Sequence, residues 1–276
     1  MSRIGLVQLS VSDNPTENLE TTTQLICKCS EDGATHIFTP EATNLICTDR
    51  ARQAQILQTE EDDLTLNALR ALSKELGIWI HIGSLALTGG EGGKFLNRGF
   101  VISPDGHIKA RYDKIHLFDV AVTAADTYQE SSAYYAGDQA VVAQMGAINL
   151  GLSICYDLRF PHLYRGLALA GASVLTVPGA FSTATGPDHI EVLLKARAIE
   201  TGCFVVMAAQ TGQHKQAVGK PRATWGHSMV IDPWGRMLCD LGTDIGWACL
   251  DIDLSLVEKT RTKIPSLHHN PAFKKP

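Results

Sequence analysis

The stretch INLGLSICYDLRFP (148–161) decides how this chain is read. From Ile148 to Cys155 it is almost wholly apolar, as a buried strand is, and it ends on a thiol. Tyr156, Asp157 and Arg159 then form a polar turn, a helix is expected at about 161–170, and a further buried strand, SVLTVP, follows at 173–178. Helices that alternate with strands and are apolar on one side point to layers of helix outside sheet.

The rest of the chain repeats this grammar. RIGLVQLS (3–10) reads as a first strand, and NPTENLE starts a helix with Asn14 at the N-cap, Pro15 at N1 and Glu17 at N3. THIFTPE (35–41) is a short buried strand ending in a polar turn. In LTLNALRALSKELG (64–77), Leu66, Leu69, Leu72 and Leu76 recur at helical spacing before the stop at Gly77. IWIHIGSLAL is a strand, GGEGG (89–93) a flexible link, and residues 98–114 a hairpin turned at Pro104-Asp105-Gly106. Residues 115–140 read as irregular, and VVAQM then joins INLGLSIC near Gly146.

The second half continues with GAFSTATGPD as a loop, HIEVLLKARAIET as a helix, FVVMAAQ as a strand and HSMVIDPWGRMLCDL as a hairpin. Strand–helix–strand–helix–strand–hairpin thus occurs twice with no linker between the halves. The hairpins argue against a wholly parallel sheet. The expectation is one domain over 1–276, with a tail from about 264, built as a four-layer α-β-β-α sandwich of two mixed sheets. A single doubly wound sheet is the main competitor. No G-x-G-x-x-G follows the first strand and no P-loop motif occurs, which removes dinucleotide and P-loop functions.

Hydrophobic content of 45% and charged content of 19% over 276 residues are those of an ordinary globular protein. A net charge of −5 without a basic block excludes a nucleic-acid binder. No apolar run approaches the roughly 18 residues of a membrane span, and the opening lacks a signal-peptide layout, so a cytoplasmic location without membrane partners is expected. The seven cysteines are odd in number and scattered, so a disulfide framework is not expected. Cys27 and Cys29 form a C-x-C without a companion cluster at zinc spacing, and Cys203 and Cys249 read as small buried hydrophobes.

Three strand ends hold chemistry. Cys155 is either a space-filling thiol or a nucleophile near amides that stabilise an oxyanion. Glu41, after the strand THIFTPE, is either a solvated carboxylate at a helix start or an acid/base group. Lys114, in ARYDKIHLFD, is either a snorkelling surface lysine or a cation for developing negative charge. Sites in open α/β sheets gather at such carboxyl ends, and together the three supply nucleophile, proton carrier and cation.

The segments FTPEATN, YDKIHLFD and GLSICYDLRFP resemble the Glu, Lys and Cys signatures of the nitrilase (carbon–nitrogen hydrolase) superfamily. The similarity extends to QES (129–131), GPDHIEVLLKARAIET (186–201) and WGHSMVIDPWG (225–235), in the family's order along essentially the whole chain. It implies the α-β-β-α sandwich, Cys155 as nucleophile, Glu41 as general base then acid, and Lys114 as oxyanion stabiliser. It further implies Glu130 as a second active-site glutamate, the Tyr156 backbone N–H as the other oxyanion donor, a homodimer or larger homo-oligomer, and neither metal nor organic cofactor.

His116 raises a Cys–His alternative, but alternation along the strand would orient it as Lys114 is oriented, and a glutamate already supplies the base. His189 reads as a loop-capping or site-lining residue, and His214 and Arg222 flank a polar loop, KQAVGKP. Within the superfamily, SICYDLRFP, AAQTGQH (208–214) and WGHSMVIDPWG resemble the branch of deaminated-glutathione amidases. KIHLFD and YQES are equally reminiscent of omega-amidases, which cleave 2-oxoglutaramate. The resemblance therefore implies hydrolysis of a 2-oxoglutaryl amide through a thioester, deaminated glutathione being the favoured substrate, 2-oxoglutaramate or another small amide the alternative, and a non-enzymatic scaffold disfavoured.

Overall fold

The computed structural model describes residues 1–121, 127–220, 222–269 and 271–274. The first half runs β1 (Ser2–Gln8), α1 (Pro15–Glu31), β2 (His36–Phe38), α2 (Arg50–Ile56), α3 (Leu64–Leu76), β3 (Trp79–Leu87), β4 (Leu96–Ile102) and β5 (Ile108–Asp113). A small ribbon follows, β6 (Asp119–Ala121) and β7 (Thr127–Gln129). The second half contains β8 (Val142–Met145), β9 (Ile148–Gly151), α4 (Pro161–Leu169), β10 (Val174–Thr176), α5 (Glu191–Thr201) and β11 (Phe204–Met207). After the ribbon β12 (Thr211–His214) and β13 (Arg222–Trp225) come β14 (Met229–Ile231), β15 (Met237–Asp240), β16 (Gly246–Ile252) and α6 (Ser255–Lys263).

Two six-stranded sheets result, ordered β16-β1-β2-β3-β4-β5 and β15-β14-β11-β10-β9-β8. Each has a parallel centre, β1–β2–β3 in one and β9–β10–β11 in the other, flanked by antiparallel strands. The expected pair of mixed sheets is therefore present. Strand alternation separates the layers. Ile4 and Leu6 of β1 and Phe38 of β2 pack in one core with Leu150, Val174 and Val205 of the second sheet. Val7 and Ile37, facing the other way, pack with Ile26 of α1 and Leu69 of α3. On the second sheet, Leu167 of α4 and Leu194 of α5 belong to the same buried cluster as the strands.

Local signals explain the helix ends. Asn14 caps α1 by accepting from the Thr16 N–H at 3.2 Å, and Pro15 occupies the first turn. Asp63 accepts from the Leu66 N–H at 2.8 Å, and α3 stops at Gly77, whose φ of 66° is left-handed.

The structure departs from the sequence expectation in several places. The strand expected to reach Cys155 ends as β9 at Gly151, because the Ile154 N–H is taken at 2.8 Å by the Asp157 carboxylate instead of a neighbouring strand. The stretch expected to be irregular holds the β6–β7 ribbon, with 122–126 outside the described residues. KQAVGKP joins the paired strands β12 and β13, with Pro221 also outside the described residues. GWACLDI returns to the first sheet as β16, antiparallel to β1, which leaves Cys249 half-buried there, whereas Cys203 is fully buried. Of the expected tail, residues 270, 275 and 276 lie outside the described residues. Among the described residues no helix is long and apolar enough to cross a membrane.

Gly83, at an irregularity in β3, lets the two sheets meet. A Cβ there would stand 2.2 Å from Thr39 O, 2.5 Å from Pro40 O and 2.5 Å from the Pro178 side chain. The segments leaving β2 and β10 thus cross over one glycine, and the chemistry-bearing residues gather beside that crossing.

Candidate active site

Glu41 lies on the turn after β2. Ala42 there has a left-handed φ of 55°, and the Gln210 side chain donates to Glu41 O at 3.0 Å. The Glu41 side chain is buried and fully engaged: Oε2 accepts from the Ala180 N–H at 3.0 Å, and Oε1 from Lys114 Nζ and Asn97 Nδ2, both at 2.9 Å.

Lys114 follows β5 directly, tied by its backbone N–H to Asn97 O at 3.0 Å. It is 2% exposed, not a surface lysine. Its ammonium also reaches Glu130, 3.0 Å from Oε2 and 3.2 Å from Oε1. Glu130 begins a short 3-10 turn after β7, and its Oε2 accepts from the Phe118 N–H at 2.6 Å.

Cys155 opens a 3-10 turn, Cys155–Arg159, and adopts a left-handed φ of 50°. That conformation costs a non-glycine residue about 1–2 kcal/mol. The surroundings impose it: the Cys155 N–H donates to Pro178 O at 2.8 Å, and Asp157 clamps the turn. Fully buried Asp157 accepts from Tyr112 OH at 2.7 Å, from the His116 N–H at 3.0 Å and from His116 Nδ1–H at 2.6 Å. Among the described residues, the Tyr156 N–H at the start of this turn has no backbone acceptor.

Electrostatics set the resting protonation. Burial and the neighbouring Glu41 charge push the Cys155 thiol well above its usual pKa, against the pull of Lys114. The thiol therefore stays protonated beside the Glu41 charge. Burial pushes the Glu41 carboxyl upward, but the Lys114 charge and the bonds from Cys155 and Lys114 outweigh it and hold the group below its ordinary value. Burial alone would lower Lys114; the charges of Glu130 and Glu41 override it and raise the ammonium well above normal. A thiol, a carboxylate and an ammonium thus rest side by side.

These groups line a cavity of about 410 Å3, within the range of small-molecule sites. The structure thereby brings Glu41, Lys114, Glu130, Cys155 and Tyr156 together. His116 is not part of the lining; β5 ends before it, so strand alternation does not govern its direction, and it stacks on Phe160 at 3.6 Å. His214 is buried between Val11 O and Thr224, whereas Arg222 lines the cavity. His189 accepts from Arg159 at 3.1 Å, and Glu200 is paired with Arg197.

Asn97 and the Ala180 N–H escaped the sequence reading. Asn97 carried a signal, a β-disfavoured amide in the apolar run FLNRGFVI. The backbone donor and the left-handed Cys155 carried none.

The fold and this cluster define a class. The chain belongs to the carbon–nitrogen hydrolase family, whose sequence model matches residues 3–262. Membership makes it a hydrolase of carbon–nitrogen bonds with the nitrilase-superfamily fold. It is 40% identical over 268 residues to a deaminated glutathione amidase of Synechocystis sp., covering 95% of this chain and 96% of the relative. Among solved structures it is similar to the C. elegans NitFhit protein, with a TM-score of 0.89 and 32% identity over 98% of this chain; it spans 65% of that longer chain. A variant of the amidase from Nesterenkonia sp. AN1, which carries acrylamide added to its active-site cysteine, matches with a TM-score of 0.76 and 26% identity over 96% of this chain and 98% of that one.

Proposed function

We propose that this protein hydrolyses an amide through a thioester on Cys155, and that the amide is deaminated glutathione. The observation that carries the chemistry is that Cys155 and Glu41 line one cavity, with the Glu41 carboxylate 2.9 Å from Lys114 Nζ. As sulfur attacks the substrate carbonyl, its proton passes to Glu41. The oxyanion forms between Lys114 Nζ and the Tyr156 N–H, and Glu130 keeps the ammonium in place. When the intermediate collapses, Glu41 returns the proton to the departing nitrogen, because an amide anion is a very poor leaving group. Glu41 then deprotonates water, which attacks the thioester; the acid leaves and the thiol regains its proton.

The relatives named deaminated glutathione amidase support this substrate. The cavity's charge supports it further. Arg50, Arg159, Lys220 and Arg222 line it, and among the described residues the acids in the lining are Glu41 and Glu130. The guanidiniums bond to neutral groups: Arg50 to Gln129 O and Ser132, Arg159 to His189, Arg222 to Ala180 O. Deaminated glutathione, a 2-oxoglutaryl amide of Cys-Gly, carries carboxylates at both ends and matches such a spread of cations. The test is mass spectrometry and kinetics with deaminated glutathione and 2-oxoglutaramate side by side. The dipeptide's contacts should raise kcat/KM for the former by ~10²-fold or more. Equal efficiency would assign the protein to the omega-amidases, and inactivity on both would leave the substrate open.

A further inference from the structure

Asn97, near the start of β4, bonds to all three charged residues of the cluster. Its backbone carbonyl accepts the Lys114 N–H at 3.0 Å. Its side-chain Nδ2 donates to Oε1 of Glu41 at 2.9 Å and to Oε1 of Glu130 at 3.3 Å. These partners come from three separate places: the turn after β2, the end of β5 and the turn after β7.

Charge fixes the amide's orientation, since a reversed Asn97 would aim its carbonyl at two carboxylate oxygens. In the orientation present, Oδ1 is buried with no hydrogen-bond partner among the described residues. A residue needed only to fill space would not be kept with such an orphaned acceptor. The donor end must be worth more than the acceptor end loses.

We propose that Asn97 is a positioning residue for the reaction, holding Glu41 and Glu130 apart across Lys114 so that Glu41 remains a free carboxylate beside the Cys155 thiol. The inference rests on the roles assigned to Glu41 and Lys114 above. Two carboxylates on one ammonium repel, and without an N–H between them they relieve the repulsion by sharing a proton. Glu41 holding that proton permanently disarms the site, because Glu41 must be empty to take the thiol proton and loaded to release the amine. The charged and titratable groups that face Glu41 include Lys114, Cys155, Arg222 and Tyr134, and Glu130 shares both Lys114 and Asn97 with it. Asn97 donates to the same Glu41 oxygen that Lys114 does.

The test compares Asn97→Asp and Asn97→Ala with wild type and Glu41→Gln in steady-state kinetics from about pH 5 to 8. Asn97→Asp keeps the side chain's size and replaces the donor by a third carboxylate. Both Asn97 variants should lose ~10²-fold in kcat while KM stays within about threefold, as expected for displaced catalytic groups. Asn97→Asp should also raise the acid limb of kcat/KM by about one pH unit or more, since a like charge favours protonation of Glu41. Circular dichroism checks folding, and Asn97→Asp decides the matter if Asn97→Ala does not fold. A folded Asn97→Asp enzyme with wild-type kcat and an unmoved acid limb overturns the proposal while an inactive Glu41→Gln leaves the underlying reading intact. An active Glu41→Gln enzyme removes that reading itself.

Discussion

The first sheet contributes charges to the site, and the second contributes backbone geometry. Glu41 and Lys114 follow β2 and β5 as buried ions, each held by hydrogen bonds and an opposite charge. Cys155, supplied by the second sheet, carries no charge at rest; what distinguishes it is a left-handed φ of 50° imposed by Pro178 O and by the Asp157 clamp. The two halves share a topology yet fail differently when altered. Damage to the first half leaves a buried charge without a partner, and damage to the second lets a strained turn relax.

The largest effect should come from Cys155, the proposed nucleophile. Cys155→Ala should abolish turnover and remove the acyl mass that a slow amide substrate adds to the Cys155 peptide. Cys47 lines the same cavity, so the peptide map has a real competitor to exclude. An adduct on Cys47 in the wild-type enzyme would overturn the assignment.

Next come the charges. Glu41→Gln and Lys114→Met should each lower kcat by ~10³-fold or more, as loss of a proton carrier or an oxyanion donor does. Their stabilities should differ. Glu41→Gln leaves Lys114 paired with Glu130, whereas Lys114→Met leaves the buried Glu41 carboxylate facing the half-buried Glu130 with no cation between them and should cost about 3–5 kcal/mol in denaturant titrations. Equal stability of the two variants would mean that Lys114 is not the keystone of the first half.

Asp157→Asn probes the second half. The carboxylate accepts four hydrogen bonds from Tyr112, His116 and Ile154, and an amide can meet at most part of that set. We expect a loss of about 1–3 kcal/mol in stability, and a ~10- to 10²-fold fall in kcat as Cys155 drifts from its position. The drift is checked by the rate of Cys155 alkylation; wild-type alkylation and turnover would show that the left-handed turn holds without its clamp.

This contrast also explains what could be read in the sequence. The strand–helix order, the cap at Asn14 and the stop at Gly77 follow from local chemistry, as do the two hairpins. Glu41, Lys114 and Cys155 stood out because each follows an apolar strand with a polar group. Glu130 did not, because the segment around it has no period of its own; its position comes from Phe118 N–H and Lys114, contacts made only in three dimensions. The strain at Cys155 was likewise invisible, since nothing in the residues 153–157 demands a positive φ. The ribbons β6–β7 and β12–β13 were missed for a related reason: each is two short, polar strands whose pairing depends on what they cover.

The halves also differ in how acid should reach them. Both histidines within the six-stranded sheets, His36 and His81, belong to the first; the second has none in its strands. His81 is 2% exposed beside Phe38, and burial pushes its pKa down to about 3. In the unfolded chain it titrates near 6.5, so between those values the unfolded state binds a proton that the folded state refuses. The sign is therefore fixed: this contribution to stability is complete above about pH 6.5 and is lost as pH falls, by at most about 1.4 kcal/mol per unit. His214, lowered to about 4, and His36, lowered by burial against its bond to Met145 O, act in the same direction. Denaturant titrations at about pH 6.5 and 5 should show wild type losing stability and His81→Phe losing distinctly less. The slope is the readout, so any repacking around the new ring cancels. An unchanged slope would mean that acid does not enter at His81, and that the core beside Phe38 tolerates a charged imidazole.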